Sequence, residues 1–322
     1  MKGRYAHIFG PVPSRRLGLS LGVDLVPYKT CSLDCIYCEV GATTEQTLQI
    51  REYIPTEEII REIDDYMRGP DRLDFVTFSG SGEPLLHSGV GTILDHLKEH
   101  YPRFRTALLT NGTLLAFSGV AEKLRRLDLI LPSLDAASQE VFQAINRPQE
   151  GIRIEEVIEG LRSFRAGGTI PMWLEVFVLP GYNDSPRELR LLKQALQYIA
   201  PDKVQLNTLD RPGTCPGIEP ASHETLQQIA DFLAPLQCEV AGGFESSGEA
   251  GITANSDVSH SILQTIRRRP CTSRDLAEVL GLHLNELNKY LNSLYRENRI
   301  SSVHGNRGIF WKIPEQDEGS KG

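Results

Sequence analysis

The chain's apolar positions switch between two periods. From residue 54 to 135, short apolar runs alternate with stretches whose apolar residues recur every three or four positions, the pattern of strand followed by helix. Ile59, Ile60, Ile63 and Met67 give one such stretch an apolar face. Thr56 is expected to cap it, with Glu57 and Glu58 in the first turn, where the helix dipole favours them. A first strand is expected over 19–25, followed by strands over 74–78, 106–109, 127–131, 173–179 and 203–206. The helices between them carry Ile93, Leu94 and Leu97, then cover 121–127, 154–165 and 187–198. The two prolines and two glycines of residues 8–18 speak against a long regular element there. Strand–helix alternation implies right-handed crossovers and a parallel sheet. Six such units are too few for a closed eight-stranded barrel, so the expected class is α/β, a partial (β/α)6 TIM-like barrel filling 1–210, with its chemistry at the carboxyl ends of the strands.

The pattern loosens over 211–257, where a helix near 224–232 and a strand near 238–240 precede a Gly/Ser/Ala/Glu-rich linker over 242–256. A second unit spans 258–314. Its first helix carries Ile262 and Ile266 and stops at Pro270. Thr272 and Asp275 form a capping-box pattern with Asp in place of Glu, and the helix they open ends at Gly281. A third helix places Leu284, Leu287, Leu291 and Leu294 on one face, and two strands flank the turn signal Gly305-Asn306-Arg307-Gly308. Three helices and a hairpin resemble a winged helix. Residues 315–322 are expected to be a disordered tail.

Composition adds constraints. A chain of 322 residues with 40% hydrophobic and 24% charged residues can bury a sizeable core. It has no apolar run of about 20 residues, so no membrane span is expected. Met1–His7 lacks the apolar core of a secretion signal, so the cytoplasm is the expected location. The net charge of −8 speaks against wholesale nucleic-acid binding. The 258–314 unit, with nine Lys/Arg against four Asp/Glu, is nonetheless locally basic, and Arg267, Arg268, Arg269, Lys289, Arg296 and Arg307 are its candidates for RNA contact. The Arg15-Arg16 pair is suited to clamping a carboxylate or phosphate.

Six cysteines in a chain this long do not make a disulfide scaffold. Three of them, Cys31, Cys35 and Cys38, sit in one loop directly after the first expected strand. Three thiolates from one loop can hold three irons of a 4Fe–4S cluster and leave the fourth open. A zinc knuckle or unconnected buried thiols are the alternatives, although zinc usually takes a fourth ligand and no histidine follows within twenty residues.

The Cys-x3-Cys-x2-Cys spacing, with Tyr37 before the last cysteine, resembles the signature of the radical S-adenosylmethionine (SAM) superfamily. Three further stretches resemble that family in the right order: Gly80-Ser81-Gly82-Glu83-Pro84, Thr110-Asn111-Gly112 and Gly181-Tyr182-Asn183-Asp184. The resemblance implies a 4Fe–4S cluster on Cys31, Cys35 and Cys38 whose open iron binds SAM. It further implies reductive cleavage of SAM to a 5′-deoxyadenosyl radical, and an electron donor such as ferredoxin or flavodoxin.

What the family's chemistry needs can be carried onto single positions. Gly82 lets the backbone approach the methionine end; Ser81, which stands where the family has glycine, adds a hydroxyl; Glu83 supplies a carboxylate or shapes the turn. Thr110 and Asn111 reach the ribose or the methionine carboxylate. Ser133 ends the fourth strand with Asp135, which accepts from ribose hydroxyls or caps the next helix. Val178 and Leu179 pack on the adenine, and Asn183 hydrogen-bonds nearby or closes a plain turn. Arg211 and Cys215, after the sixth strand, are the candidate catalytic residues. Cys215 is set to contact substrate, donate a hydrogen atom or ligate a second cluster, with an incidental thiol as the alternative; Cys238 and Cys271 are expected to be small buried residues.

Within the superfamily, Phe9–Arg16 and the text around the cysteines look most like a branch described as similar to the wyosine-base synthases acting on transfer RNA. Those synthases carry extra upstream cysteines, and none precedes Cys31 here, so the wyosine reaction itself does not carry over. The substrate class stays open among an RNA base, a peptide or protein, and a small molecule. An iron–sulfur transcriptional sensor reading DNA through the winged helix, and an activase of a glycyl-radical enzyme, are the rival readings.

Overall fold

The computed structural model describes residues 5–14, 16–69, 72–215, 217–240, 258–282 and 284–314. The expected 242–256 linker, the 315–322 tail and Arg15 therefore lie outside the described residues. The elements run β1 (Ile8–Ser14), β2 (Gly18–Val23), β3 (Thr30–Cys31), β4 (Glu45–Gln46), α1 (Thr56–Met67), β5 (Phe75–Phe78), α2 (Val90–His100) and β6 (Arg105–Thr110). They continue with α3 (Val120–Lys123), β7 (Leu129–Pro132), α4 (Gln139–Ile145), α5 (Ile154–Gly167), β8 (Trp173–Phe177), α6 (Pro186–Ile199), β9 (Lys203–Asn207), α7 (His223–Leu233) and β10 (Cys238–Val240).

Strands β2, β5, β6 and β7 pair in parallel, as do β8, β9 and β10. Parallel bridges Ile130–Met172 and Ser133–Glu175 join β7 to β8. The result is the partial α/β barrel that the alternation predicts, with β10 as a further parallel strand beside β9. Val23, Phe78 and Leu108 lie side by side one step below the mouth. The fully buried Ile59, Ile63, Ile93, Leu94 and Leu97 of α1 and α2 pack onto the outer face. Phe75, Ala107, Leu129 and Leu131, with Leu109 and Trp173 against them, form a separate smaller cluster from the other sheet face, as the two-residue period of a strand requires.

Three local expectations are corrected. Residues 8–14 do form a strand, antiparallel to β2, with a register shift between Phe9 and Val12. It ends the sheet order, and proline is tolerated on an edge strand or at a bulge because neither position needs every N–H. Thr56 is the first helical residue and not the cap: Pro55 is the N-cap, and the Thr56 N–H goes instead to Glu52 Oε1 at 2.8 Å. The 121–127 stretch is helical only to Lys123 and then closes in short turns, Leu124 N to Ala121 O and Leu127 N to Leu124 O.

The C-terminal unit comprises α8 (Val258–Arg268), β11 (Cys271–Thr272), α9 (Ser273–Leu280), α10 (Leu284–Arg296), β12 (Ser301–Gly305) and β13 (Gly308–Lys312). It has its own core, including Ile262, Ile266, Leu276, Leu287, Leu291 and Leu294. The capping box is present in both directions, Asp275 N to Thr272 Oγ1 at 3.1 Å and Thr272 N to Asp275 Oδ2 at 3.0 Å. Gly281 ends α9 at φ 63°, a left-handed conformation natural to glycine. The sequence pattern gives three helices and a hairpin; the structure adds β11 as a third strand, paired with β13. Among the described residues no helix is long and apolar enough to cross a membrane.

The two units meet through charge. Arg211, whose side chain is 2% exposed, lies 3.5 Å from Asp275, 3.9 Å from Asp210 and 4.0 Å from Glu39, and its Nε donates to Pro270 O at 3.1 Å. Arg307 pairs with Asp275 at 3.0 Å and Asp210 at 2.9 Å. Asn306 Nδ2 donates to Leu209 O at 3.2 Å, and the Arg268 guanidinium stacks 4.6 Å from the Phe9 ring centre. Arg211, expected as a catalytic group, is thus committed to holding the units together, and Arg268 and Arg307 leave the expected RNA-contact set for the same reason. Arg267, Lys289 and Arg296 are exposed.

Replacing Arg211 leaves Asp275, Asp210 and Glu39 short of a buried countercharge, which typically costs about 3–5 kcal/mol. Arg211→Met is expected to lose roughly 3 kcal/mol in urea unfolding; a loss under about 1 kcal/mol, the range of a surface pair, would contradict this role.

Candidate active site

The loop after β2 has little regular structure of its own, yet its backbone is pinned on several sides. Asp34 N donates to Asn146 O at 3.0 Å, Ile36 N to Ile145 O at 2.9 Å, and Gln149 N to Ser32 O at 2.8 Å, which ties it to the end of α4. From the other side, Thr214 Oγ1 donates to the Cys35 and Ile36 carbonyls at 3.1 and 2.8 Å, and Cys215 N to Ile36 O at 3.0 Å. Gly213 passes so close that a Cβ there would stand 2.9 Å from Tyr37 Cα. Cys31, Cys35 and Cys38 are half-buried free thiols.

Each sulfur receives a donor. Lys29 Nζ donates to Cys38 Sγ at 3.0 Å. Leu33 N and Asn111 Nδ2 reach Cys31 Sγ, each at 3.5 Å, and Asn146 Nδ2 reaches Cys35 Sγ at 3.4 Å. Burial pushes the Cys31 thiol up to about 11, with Glu83 adding to the rise. Burial followed by the neighbouring cysteines raises Cys35 further. For Lys29, burial acts to lower the pKa, but the Cys38 sulfur beside it outweighs that and leaves it raised. Thiolates here therefore want positive charge, which iron supplies on displacing the protons. Among the described residues no three His, Cys, Asp or Glu side chains converge as a single-ion site. A single zinc needs all its sulfurs within about 2.3 Å, whereas a cluster spreads its thiolates over separate irons. Half-buried cysteines, each with a donor to sulfur, fit the cluster.

The other expected site residues gather at the strand ends, and most are spent on holding those ends together. Glu83, 2% exposed, accepts from Leu85 N at 3.0 Å, Thr110 Oγ1 at 2.8 Å and Asn111 N at 2.8 Å, joining the end of β5 to the end of β6. Ser81 gives its hydroxyl to Asp24 Oδ2 at 2.6 Å. At Gly82 an added Cβ would overlap the Thr30 carbonyl oxygen, so the close approach made by this glycine is to the cysteine loop. Asn111 links Cys31 to Ser32 Oγ, at 2.9 Å, and accepts from Thr113 N at 3.1 Å. The half-buried Ser133 donates its N–H to Thr110 O at 3.0 Å.

Asp135 neither caps a helix nor faces a free ligand position. Ser138 is the N-cap of α4, and the Asp135 carboxylate accepts from Tyr37 Oη, Asn146 Nδ2 at 3.0 Å and Phe177 N at 2.8 Å. Asn183 is similarly filled: Oδ1 accepts from Leu179 N at 2.8 Å, and Nδ2 donates to Asp135 O at 2.8 Å and Phe177 O at 2.7 Å. Val178 turns toward Leu192 and Leu196 of α6 and Ile229 and Leu233 of α7, and Leu179 is fully buried. Both residues follow the end of β8 at Phe177, and Val178 is the one that lies against the helix layer. Cys215 stays half-buried beside the loop, Cys238 is half-buried, and Cys271 is buried.

Several contributors escaped sequence reasoning. Lys29 stands two residues before Cys31, a cation whose nearness to the thiols was a usable signal. Asn146 bridges Asp135 to Cys35 and Tyr37, both more than a hundred residues away from it, and left no local signal. Tyr37 stacks on Phe177 with ring centres 4.2 Å apart. Arg16 clamps a carboxylate as expected of that pair, but it belongs to the chain itself: Glu175, which also accepts from Asn207 Nδ2 at 3.3 Å.

A partial barrel with three cysteines at its mouth defines a class, and sequence comparison agrees. The chain belongs to the Radical SAM superfamily, whose family model matches residues 25–192, and within it to the UPF0026 proteins. It is 37% identical over 213 residues to a UPF0026 protein of Synechocystis sp., covering 66% of this chain and 78% of that one. It is also 31% identical over 280 residues to a protein of Brachyspira hyodysenteriae named GTPase Obg; the match covers 87% of this chain but spans only 40% of that relative's length. A radical SAM methyltransferase from Sphaerobacter thermophilus shares the fold with a TM-score of 0.52 at 18% identity, over 69% of this chain and 66% of that one. The protein is accordingly a radical SAM enzyme, with SAM and an iron–sulfur cluster as its cofactors.

Gly82→Ala forces the Thr30 carbonyl, and with it the cysteine loop, to move. Iron and sulfide content after reconstitution is expected to fall at least severalfold; full loading would contradict the close packing. Asp135 is raised by burial from the ordinary 3.8 to about 6, so the native state keeps a proton that the unfolded chain has already lost. That contribution is complete below pH 3.8 and is lost as the pH rises to about 6, on the order of 3 kcal/mol. The stability of the metal-free chain against unfolding is therefore expected to fall as the pH rises across that window, relative to Asp135→Asn; parallel pH profiles for the two would contradict it.

Proposed function

We propose that Cys31, Cys35 and Cys38 hold a 4Fe–4S cluster and that the enzyme abstracts hydrogen from a substrate admitted at the barrel mouth beside the C-terminal unit. The observation that carries this reading is the donor set on the three sulfurs: Lys29 on Cys38, Leu33 N and Asn111 on Cys31, and Asn146 on Cys35. When bound, the cluster supplies the single electron that cleaves SAM to methionine and a 5′-deoxyadenosyl radical, which takes a hydrogen atom from substrate.

The chain's own part is to place and shield. Glu83 holds the β5 and β6 ends at a fixed separation, and Asp135 and Asn183 do the same for the ends of β7 and β8. Tyr37 and Phe177 stack beside Cys35 and exclude water from that side. Segment 211–215 ties the loop to the C-terminal unit through Arg211, Thr214 and Cys215, which supports a role for that unit beside the substrate. A small one-electron carrier of the ferredoxin or flavodoxin class supplies the reductant.

The test is anaerobic reconstitution with iron and sulfide, then SAM and dithionite, with 5′-deoxyadenosine followed by chromatography. The wild type is expected to form it, and Cys35→Ala, missing one ligand, to fall to background. Undiminished cleavage by Cys35→Ala would sink the assignment.

A further inference from the structure

Lys29 is placed with more care than a chance neighbour of Cys38 needs. It is 3% exposed, and its backbone sits at φ 57°, a left-handed conformation uncommon for a non-glycine residue. Four hydrogen bonds hold it there. Its N–H donates to Ser81 O at 2.9 Å, and its carbonyl accepts from Thr44 N at 3.0 Å, Glu45 N at 3.2 Å and Thr44 Oγ1 at 3.3 Å. The clamp thus comes from the Gly80–Pro84 turn on one side and from the run into β4 on the other. It delivers the ammonium to Cys38 Sγ at 3.0 Å. Burying a lysine is unfavourable unless a negative partner compensates. Here the partner is a cysteine sulfur, since Glu83 is already taken up by three donors of its own.

We propose that Lys29 sets the reduction potential of the cluster, its fixed ammonium stabilising the state that carries one more electron. The physics is that of any iron–sulfur centre: potential follows net charge, hydrogen bonds to sulfur and burial. A cation in a half-buried site interacts more strongly with the reduced cluster than with the oxidised one, because reduction adds one negative charge a few ångströms away. The reaction balances as one external electron added to the cluster, with no bond made or broken at Lys29. Lys29 thereby acts through Cys38 and eases electron entry from a weak one-electron donor.

The inference rests on the cluster assignment above, and the two fail differently. An anaerobic redox titration of the reconstituted full-length chain, read by electron paramagnetic resonance without SAM, separates them. Absence of any 4Fe–4S signal from the wild type would end the assignment itself. With a wild-type signal present, Lys29→Met is expected to lower the reduced-to-oxidised ratio at the wild-type midpoint about tenfold, equivalent to about 59 mV for one electron. Lys29→Arg, which keeps the charge, should stay within about threefold. Lys29→Gln keeps an N–H donor without the charge and should also fall by at least threefold, so it carries the test if Lys29→Met loads no iron. Loaded neutral variants whose ratio stays within threefold of wild type would overturn the proposal. So would failure of both neutral variants to take up iron, because Lys29 would then be needed to assemble the cluster and not to tune it. A lysine whose task is to bind the carboxylate of SAM also predicts no shift here, as SAM is absent.

Discussion

An irregular loop has to present three thiols at fixed separations, and it cannot do so by itself. A loop lacks the ladder of bonds that fixes a helix or strand, so its shape comes from outside partners. Here those partners are the Asn146 and Ile145 carbonyls at the end of α4, the hydroxyl of Thr214 and the N–H of Cys215 after β9, and the close backbone of Gly82 and Gly213. They arrive from segments far apart in the chain: the turn after β5, the end of α4 and the stretch after β9. The barrel brings them together.

The polar residues at the strand ends serve that same geometry. Glu83 and Asp135 are buried carboxylates, each surrounded by three donors. A buried carboxylate is tolerable only when so satisfied, and satisfaction leaves it little to offer a ligand. What such residues provide is a rigid frame in which backbone groups and the half-buried sulfurs face the mouth. The Arg211–Asp275–Arg307–Asp210 network extends the frame into the C-terminal unit, so the loop, the barrel and the small unit are mechanically linked through Arg211 and the neighbouring Glu39.

What the sequence revealed was mostly local or periodic. The Thr272–Asp275 capping box spans four residues, and both halves of it formed. Alternating periods were enough for a parallel, partial barrel, and cysteine spacing was enough for the loop. The failures have physical causes. A strand at residues 8–14 was discounted for its prolines, but an edge strand needs only half its N–H groups paired. Arg211 looked catalytic because it follows a strand, and its commitment to Asp275 depends on a domain contact that no local pattern encodes. Lys29 was legible as a cation two residues before Cys31, but its pairing with Cys38 in particular appears only once the loop folds back.

The central claim is that three cysteines hold a cluster with one iron left for SAM. Mössbauer spectroscopy of the chain reconstituted with 57Fe, recorded before and after adding SAM, tests it most directly. The account predicts a 4Fe–4S spectrum in which one iron of the four shifts its parameters when SAM binds while the others stay put. Iron sites that are all indifferent to SAM, or iron held only as isolated ions, would contradict it.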